Sequence, residues 1–381
     1  MKHNVLNNKV GSPYSFDYER LTKEKEREIV ASIFEQLLIF DSITITTNRV
    51  NFALMFLIKQ IGINNVEKLI ERGYVKFMIW TPFLFTSNGR EGVDGKIDES
   101  IIYGKPPIVA GTLCKDDIDP EKNIEMALSQ FNIPRGRKRS FKKKALNNYI
   151  IPKGIDYSSA SVQMIIDAYK SNNLAELGLP YNKEPEQLNV EERMLIQQLG
   201  QKVLETAVMS EYSLKSLDNY EHIEICKKSF ENIGKAYNVV DNTSEILKIE
   251  NLPNLKEFYL QEKLDFESMF RLRHLSSAKY YRKWINNIGE NANAQEITKE
   301  YLNEIKGKNS FFEANKGKLV KSSFMFGVGV ALGTILPPII STLTNGALGL
   351  FDTFVLDNML KGKKPSMFIG DLETHYIKNK K

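Results

Sequence analysis

The chain has 381 residues, 42% of them hydrophobic, and carries 52 Lys and Arg against 47 Asp and Glu for a formal net charge of +5. This excludes a disordered chain and leaves room for a sizeable core in two domains or one large one, while the interspersed charges give the overall balance little meaning for a polyanionic partner. Cys114 and Cys226 lie far apart in the sequence, which excludes a disulfide framework and thiol-cluster metal ligation and suits a reducing cytoplasm.

Met1 to Asp17 is polar and lacks a hydrophobic signal region, so secretion by a signal peptide is not expected. Thr22 to Leu37 places Ile29, Ile33 and Leu37 at amphipathic-helix spacing, and Leu38 to Thr47 then reads as a β-branched strand. Asn48 is positioned to cap a helix over Phe52 to Ile61, which Gly62 ends; a second short helix runs from Asn64 to Gly73. Tyr74 to Leu84 reads as a strand whose Pro82 implies an edge or bulge. Thr86 to Lys105 reads as loop and Pro107 to Cys114 as a third strand.

After Cys114 the pattern turns helical. Asp119-Pro120-Glu121 has the form of a helix start, with a capping side chain, a first-turn proline and an acid at the positive end of the dipole. Asn189 to Glu192 has reciprocal capping spacing ahead of Leu195, Ile196, Leu199, Val203 and Ala207, and further helices are predicted over Tyr220 to Lys235, Ser277 to Ile288 and Ala294 to Ile305. Asn172 to Leu188 is the candidate linker. The expected fold class is α+β and mainly α-helical. It comprises a mixed α/β domain over 1–150 with a small mixed sheet, a helical domain over 151–321, and an apolar helical hairpin with a basic tail over 322–381.

The hairpin is expected from Ser322 to Phe351, thirty consecutive residues without a charge. Pro337-Pro338 should end one helix, begun near Phe324, at about Leu336 and allow another beyond it. Thirteen residues reach only about 20 Å against roughly 30 Å of bilayer hydrocarbon, so one straight span is disfavoured. Gly327, Gly329, Gly333, Gly346 and Gly349 are candidate helix-contact positions, with Gly329 and Gly333 on one face where a second backbone can approach. Lys316, Lys318 and Lys321 before the segment and Lys361, Lys363 and Lys364 after it would leave both ends on one membrane face, yet an all-round apolar helix is equally a buried core helix.

Two cation-rich stretches stand out. Arg135, Arg137, Lys138, Arg139, Lys142, Lys143 and Lys144 put seven cations in ten residues, read as a loop feeding a helix, a mobile polyanion-binding arm that could meet nucleic acid or anionic lipid. The bland alternative is a surface run neutralised by Asp116, Asp117, Asp119, Glu121 and Glu125. The second stretch is Arg271, Arg273, His274, Lys279, Arg282 and Lys283, interleaved with Tyr280, Tyr281 and Trp284. It suits single-strand stacking, but Ala278, Tyr281, Ile285 and Ile288 recur at helical spacing, which favours aromatics in the core with the cations outside.

Catalytic templates are not matched: no phosphate-binding loop, zinc-protease or nucleophile-elbow motif occurs. Asp41, Asp94 and Asp117-x-Asp119 follow or sit in predicted strands and could hold Mg²⁺ for phosphodiester chemistry, while Glu221, His222, Glu224 and Cys226 do not share one helix face. No cofactor is implied. The expectation is a non-enzymatic bacterial interaction or effector protein, of the stress or phage-defence kind, in the cytoplasm or peripheral to the inner membrane face. It would act through its apolar hairpin on a protein partner, on itself or on a membrane. The alternative is a nucleic-acid-binding protein, with or without nuclease chemistry, using the 135–144 arm.

Overall fold

The computed structural model describes residues 3–7, 9–10, 22–47, 50–79, 84–86, 108–110, 118–151, 214–218, 244–262, 264–287, 320–328 and 365–378, with scattered positions between 167 and 212. Helices dominate, around a small parallel sheet that begins in the N-terminal part.

Strand β1 (Asn4–Asn7) starts the fold and is followed by α1 (Lys23–Ile39), β2 (Ser42–Thr47), α2 (Phe52–Ile61), α3 (Ile63–Glu71) and β3 (Val75–Ile79). A two-stranded antiparallel ribbon, β4 (Leu84–Thr86) with β5 (Ile108–Ala110), stands apart from the main sheet. Helices α4 (Pro120–Ser129) and α5 (Arg135–Ala145) lead to β6 (Tyr149–Ile150). β7 (Leu214–Asp218), β8 (Ser244–Pro253), α6 (Leu255–Leu260), α7 (Phe266–His274), α8 (Ser276–Asn287), β9 (Val320–Val328) and α9 (Pro365–Lys378) complete the described elements.

The sheet order is β6-β3-β2-β1-β7-β9-β8. The first five strands are parallel neighbours, and β9 runs antiparallel to both β7 and β8. Parallel pairing needs crossovers, and α1, α2 with α3, and α4 with α5 supply them.

Several sequence expectations need correction. β1 lies in the stretch read only as polar, because Val5 and Leu6 between asparagines suffice for a central strand, buried to 0% and 4% exposure. Leu38 and Ile39 belong to α1, whose last turn is closed by the Phe40 amide on the Gln36 carbonyl at 2.8 Å. The α2 cap is Asn51, whose side chain accepts the Leu54 amide at 2.8 Å. Gly62, at φ +78°, ends α2 and opens α3, a conformation that glycine adopts without steric cost. Leu84, expected to end one strand from Tyr74, belongs to β4 instead.

The largest correction lies beyond residue 150, where β7, β8 and β9 extend the first sheet inside a stretch expected to be almost wholly helical. Phe324 to Val328, expected to open the apolar helix, are the second half of β9. Val320, Phe324, Phe326 and Val328 share a period of two, and Gly327 would weaken a helix there. Other expectations hold. Asp119 caps α4, accepting the Glu121 and Lys122 amides at 2.9 and 3.3 Å. Asn189 and Glu192 form the reciprocal capping pair, each side chain accepting the other's amide at 2.9 Å. The predicted helices over Tyr220 to Lys235 and Ala294 to Ile305 lie outside the described residues.

The core forms where α1 packs under α6, α7 and α8. Phe34 meets Tyr259 at 5.2 Å and Phe266 edge-on at 5.9 Å, and full burial of such a side chain is worth about 1.5–3 kcal/mol. α9 closes the far side of α8: Phe368 lies 4.7 Å from Tyr281, and Ser277 donates to the Asp371 carboxylate.

Candidate functional site

The basic stretch is a docked helix, not the expected mobile arm. Straight-chain Arg and Lys tolerate a helix well, and Phe141 and Ala145, one turn apart, are its two buried residues. Three of its seven cations are tied to carboxylates of neighbouring helices. Lys144 reaches Glu67 at 2.6 Å and Glu71 at 2.5 Å on α3, and Arg137 reaches Glu67 at 3.4 Å and donates to Asn64. Lys142 reaches Glu121 at 2.9 Å and Glu125 at 2.7 Å on α4. Hydrogen bonds from these carboxylates, Glu125 first for Lys142 and Glu67 first for Lys144, raise both ammonium pKa values.

The other four cations, Arg135, Lys138, Arg139 and Lys143, have no ion pair among the described residues. Arg135, Lys138 and Arg139 follow i, i+3, i+4 spacing and therefore share a face. With Lys142 they line one wall of a cleft of about 430 Å³ between α5 and α4, where Glu125, Leu128 and Ser129 form the other wall. Lys143 is exposed and does not line the cleft. Among the described residues the predicted polyanion-binding cations thus divide into a set paired with carboxylates of α3 and α4 and a set with no ion pair.

The second cation-rich stretch reverses part of its expectation. Tyr281 and Trp284 are in the core as expected, but Arg273 and Arg282 are buried with them, at 3% and 6% exposure. Arg273 donates to the carbonyls of Leu37, Phe40 and Asp41 around the end of α1, the Phe40 bond measuring 2.7 Å, and its guanidinium lies 3.9 Å over the Tyr74 ring. Arg282 donates to the Arg273 carbonyl at 3.0 Å and faces the Asp41 carboxylate at 3.7 Å. Asn286 adds a bond to the Ile39 carbonyl at 2.9 Å. These cations serve helix ends, where the dipole is negative. Desolvation lowers both guanidinium pKa values, that of Arg282 to about 10.

The acidic constellation is not assembled. Asp41 precedes β2 at the amino end of the sheet, accepting the His3 amide at 2.9 Å, and the Asp119 carboxylate is spent on its cap; Asp94 and Asp117 lie outside the described residues, as do Glu221, His222, Glu224 and Cys226. Among the described residues no group of three His, Cys, Asp or Glu side chains could hold a metal ion. Gly327 is in β9, paired with Lys215 and Glu245, so its expected helix-contact role is corrected; Gly329, Gly333, Gly346 and Gly349 lie outside the described residues. No helix among those described is long and apolar enough to cross a membrane.

One buried polar chain escaped sequence reasoning. Asn51 donates to the Tyr149 hydroxyl and Tyr149 to Asn123, both at 2.7 Å, linking the starts of α2 and β6 to α4. Burial raises the Tyr149 pKa. The three residues lie far apart in sequence and leave no periodic signal. The chain matches no protein-family model, no curated protein and no solved structure.

Proposed function

We propose that this protein acts by contact rather than by catalysis, holding a polyanionic partner, nucleic acid foremost, on the outer face of α5. The observation that supports this reading is the split within the helix: three cations are paired with Glu67, Glu71, Glu121 and Glu125, whereas Arg135, Lys138, Arg139 and Lys143 have no ion pair among the described residues. Released counterions would drive such binding and make it salt-sensitive. The experiment follows from the same split. Arg135→Gln, Lys138→Gln, Arg139→Gln and Lys143→Gln together should lower the salt needed to elute the protein from heparin or immobilised single-stranded DNA. An unchanged elution position would remove the face from consideration. Substituting Lys142 and Lys144 would instead cut ion pairs within the fold.

A second reading is favoured by the boundaries of the apolar stretch. β9 ends at Val328 inside the sheet, and α9 begins at Pro365 with Phe368, Ile369 and Leu372 fully buried. A Gly-rich helical hairpin between them would be tethered at both ends to a folded body. That suits a bacterial stress or defence effector in the cytoplasm, or peripheral to the inner membrane face, working on a protein partner, on a second copy or on the membrane surface. Excising 329–364, which spares β9 and α9, tests it. A folded protein that has lost membrane or partner association supports the effector role, and an unfolded one assigns the segment to the core.

A further inference from the structure

We propose that the cleft between α4 and α5 is a seat for a dianionic phosphomonoester, so that a polyanion held by α5 is recognised at a phosphorylated end as well as along its backbone. The inference rests on the polyanion-binding reading of α5 and names the chemical group its concave part takes.

Charge points first to a monoester. Arg135, Lys138, Arg139 and Lys142 stand against the carboxylates of Glu121 and Glu125, four cations to two anions, leaving two positive charges at the cleft. A backbone diester brings one negative charge, whereas a terminal phosphate brings about 1.5 to 2 at neutral pH. Shape agrees with charge. About 430 Å³ lies in the lower part of the range for small-ligand sites, enough for a phosphate with its attached sugar and too little for a duplex.

Donor chemistry is the third point. Arg135 and Arg139 are one helical turn apart with Lys138 between them, so residues carrying two planar forks and an ammonium line one wall, and forks match paired phosphate oxygens. Lys142 is held in place by its two carboxylates and keeps Glu125 from opposing the anion. Leu128, on the α4 wall, is a core residue at 2% exposure and gives the cleft a fixed floor. Lys143, outside the cleft, is left to the diester backbone.

The test compares two single-stranded DNA oligonucleotides of one sequence, labelled with fluorescein at the 3′ end, carrying either a 5′-phosphate or a 5′-hydroxyl, titrated with the full chain and followed by anisotropy. The phosphorylated strand should bind about tenfold more tightly, the gain expected from one added set of charge-assisted bonds. Arg135→Gln with Lys138→Gln should erase that difference at unchanged thermal stability, and Lys143→Gln should weaken both strands equally. A nucleoside monophosphate should compete away only the advantage of the phosphorylated strand. Equal binding of the two strands by the unaltered protein would overturn the seat and leave the polyanion reading standing. Failure to bind either strand, with saturable binding of the nucleoside monophosphate that the double variant loses, would support the seat and overturn the polymer reading. Failure with all three probes would end both.

Discussion

In α5 seven cations occur within ten residues, and the helix meets the core through Phe141 and Ala145 alone. In α7 and α8 cations alternate with Phe270, Leu272, Tyr281, Trp284 and Ile285 at helical spacing, and Arg273 and Arg282 are carried into the interior with them. The difference teaches that the apolar residues between the cations, not the number of cations, decide on which side of the protein surface a basic stretch ends. A buried guanidinium costs several kcal/mol in desolvation, and here the open carbonyls around the end of α1 and at the end of α7 offset it. In α5 each charge that the fold uses is a surface pair worth at most about 1 kcal/mol.

The sharpest way to break the comparison is Arg273→Met. It strands the carbonyls of Phe40 and its neighbours, and the expected loss is about 3–5 kcal/mol by urea unfolding. A loss below about 1 kcal/mol would show that Arg273 behaves as a surface cation. Asp41→Asn removes the carboxylate that faces Arg282, and about 1–3 kcal/mol should go, measured in the same way.

A pH series gives an effect of comparable size. Desolvation, aided by Lys215, lowers the His3 pKa from 6.5 to about 4. The folded state therefore binds this proton less readily than the unfolded chain. Its contribution is present above about pH 6.5 and declines as pH falls toward 4, by up to about 3 kcal/mol. His3→Gln should flatten that part of the stability profile, and an unaltered slope in the variant would assign it to other groups. The smallest effects belong to α5. Lys144→Gln should cost about 1 kcal/mol or less despite its two carboxylates, and Arg139→Gln should stay within about 0.5 kcal/mol while weakening retention on heparin.

The elements legible in the sequence were those with local signals. The Asp119 cap, the Asn189 and Glu192 pair, and the apolar faces of α1 and α8 follow from residues within a turn or two of one another. β1 and β7 were missed because each is short and is made a strand by its neighbours: β1 is flanked on both sides, by β2 and β7. β9 was missed because its composition suggested a helix and its partners lie far upstream. Of the candidate site, the density of charge was readable. Which cations are paired was not, since that depends on α3 and α4 placing Glu67, Glu71, Glu121 and Glu125 beside α5.

The place of β9 between β7 and β8 sets the order in which this chain can be completed as it is synthesised. Strands β1, β2, β3 and β6 can pair once residue 150 has emerged, and β7 can join on the free side of β1. From then until residues 320–328 arrive, the edge of β7 that β9 occupies is open, and β8 lacks its one partner among the described strands. An open edge of this kind pairs readily with foreign strands. Nascent chains paused in that interval are therefore the species a chaperone should hold. Two chains finishing side by side at high expression are placed to exchange β9 and emerge as a strand-swapped dimer.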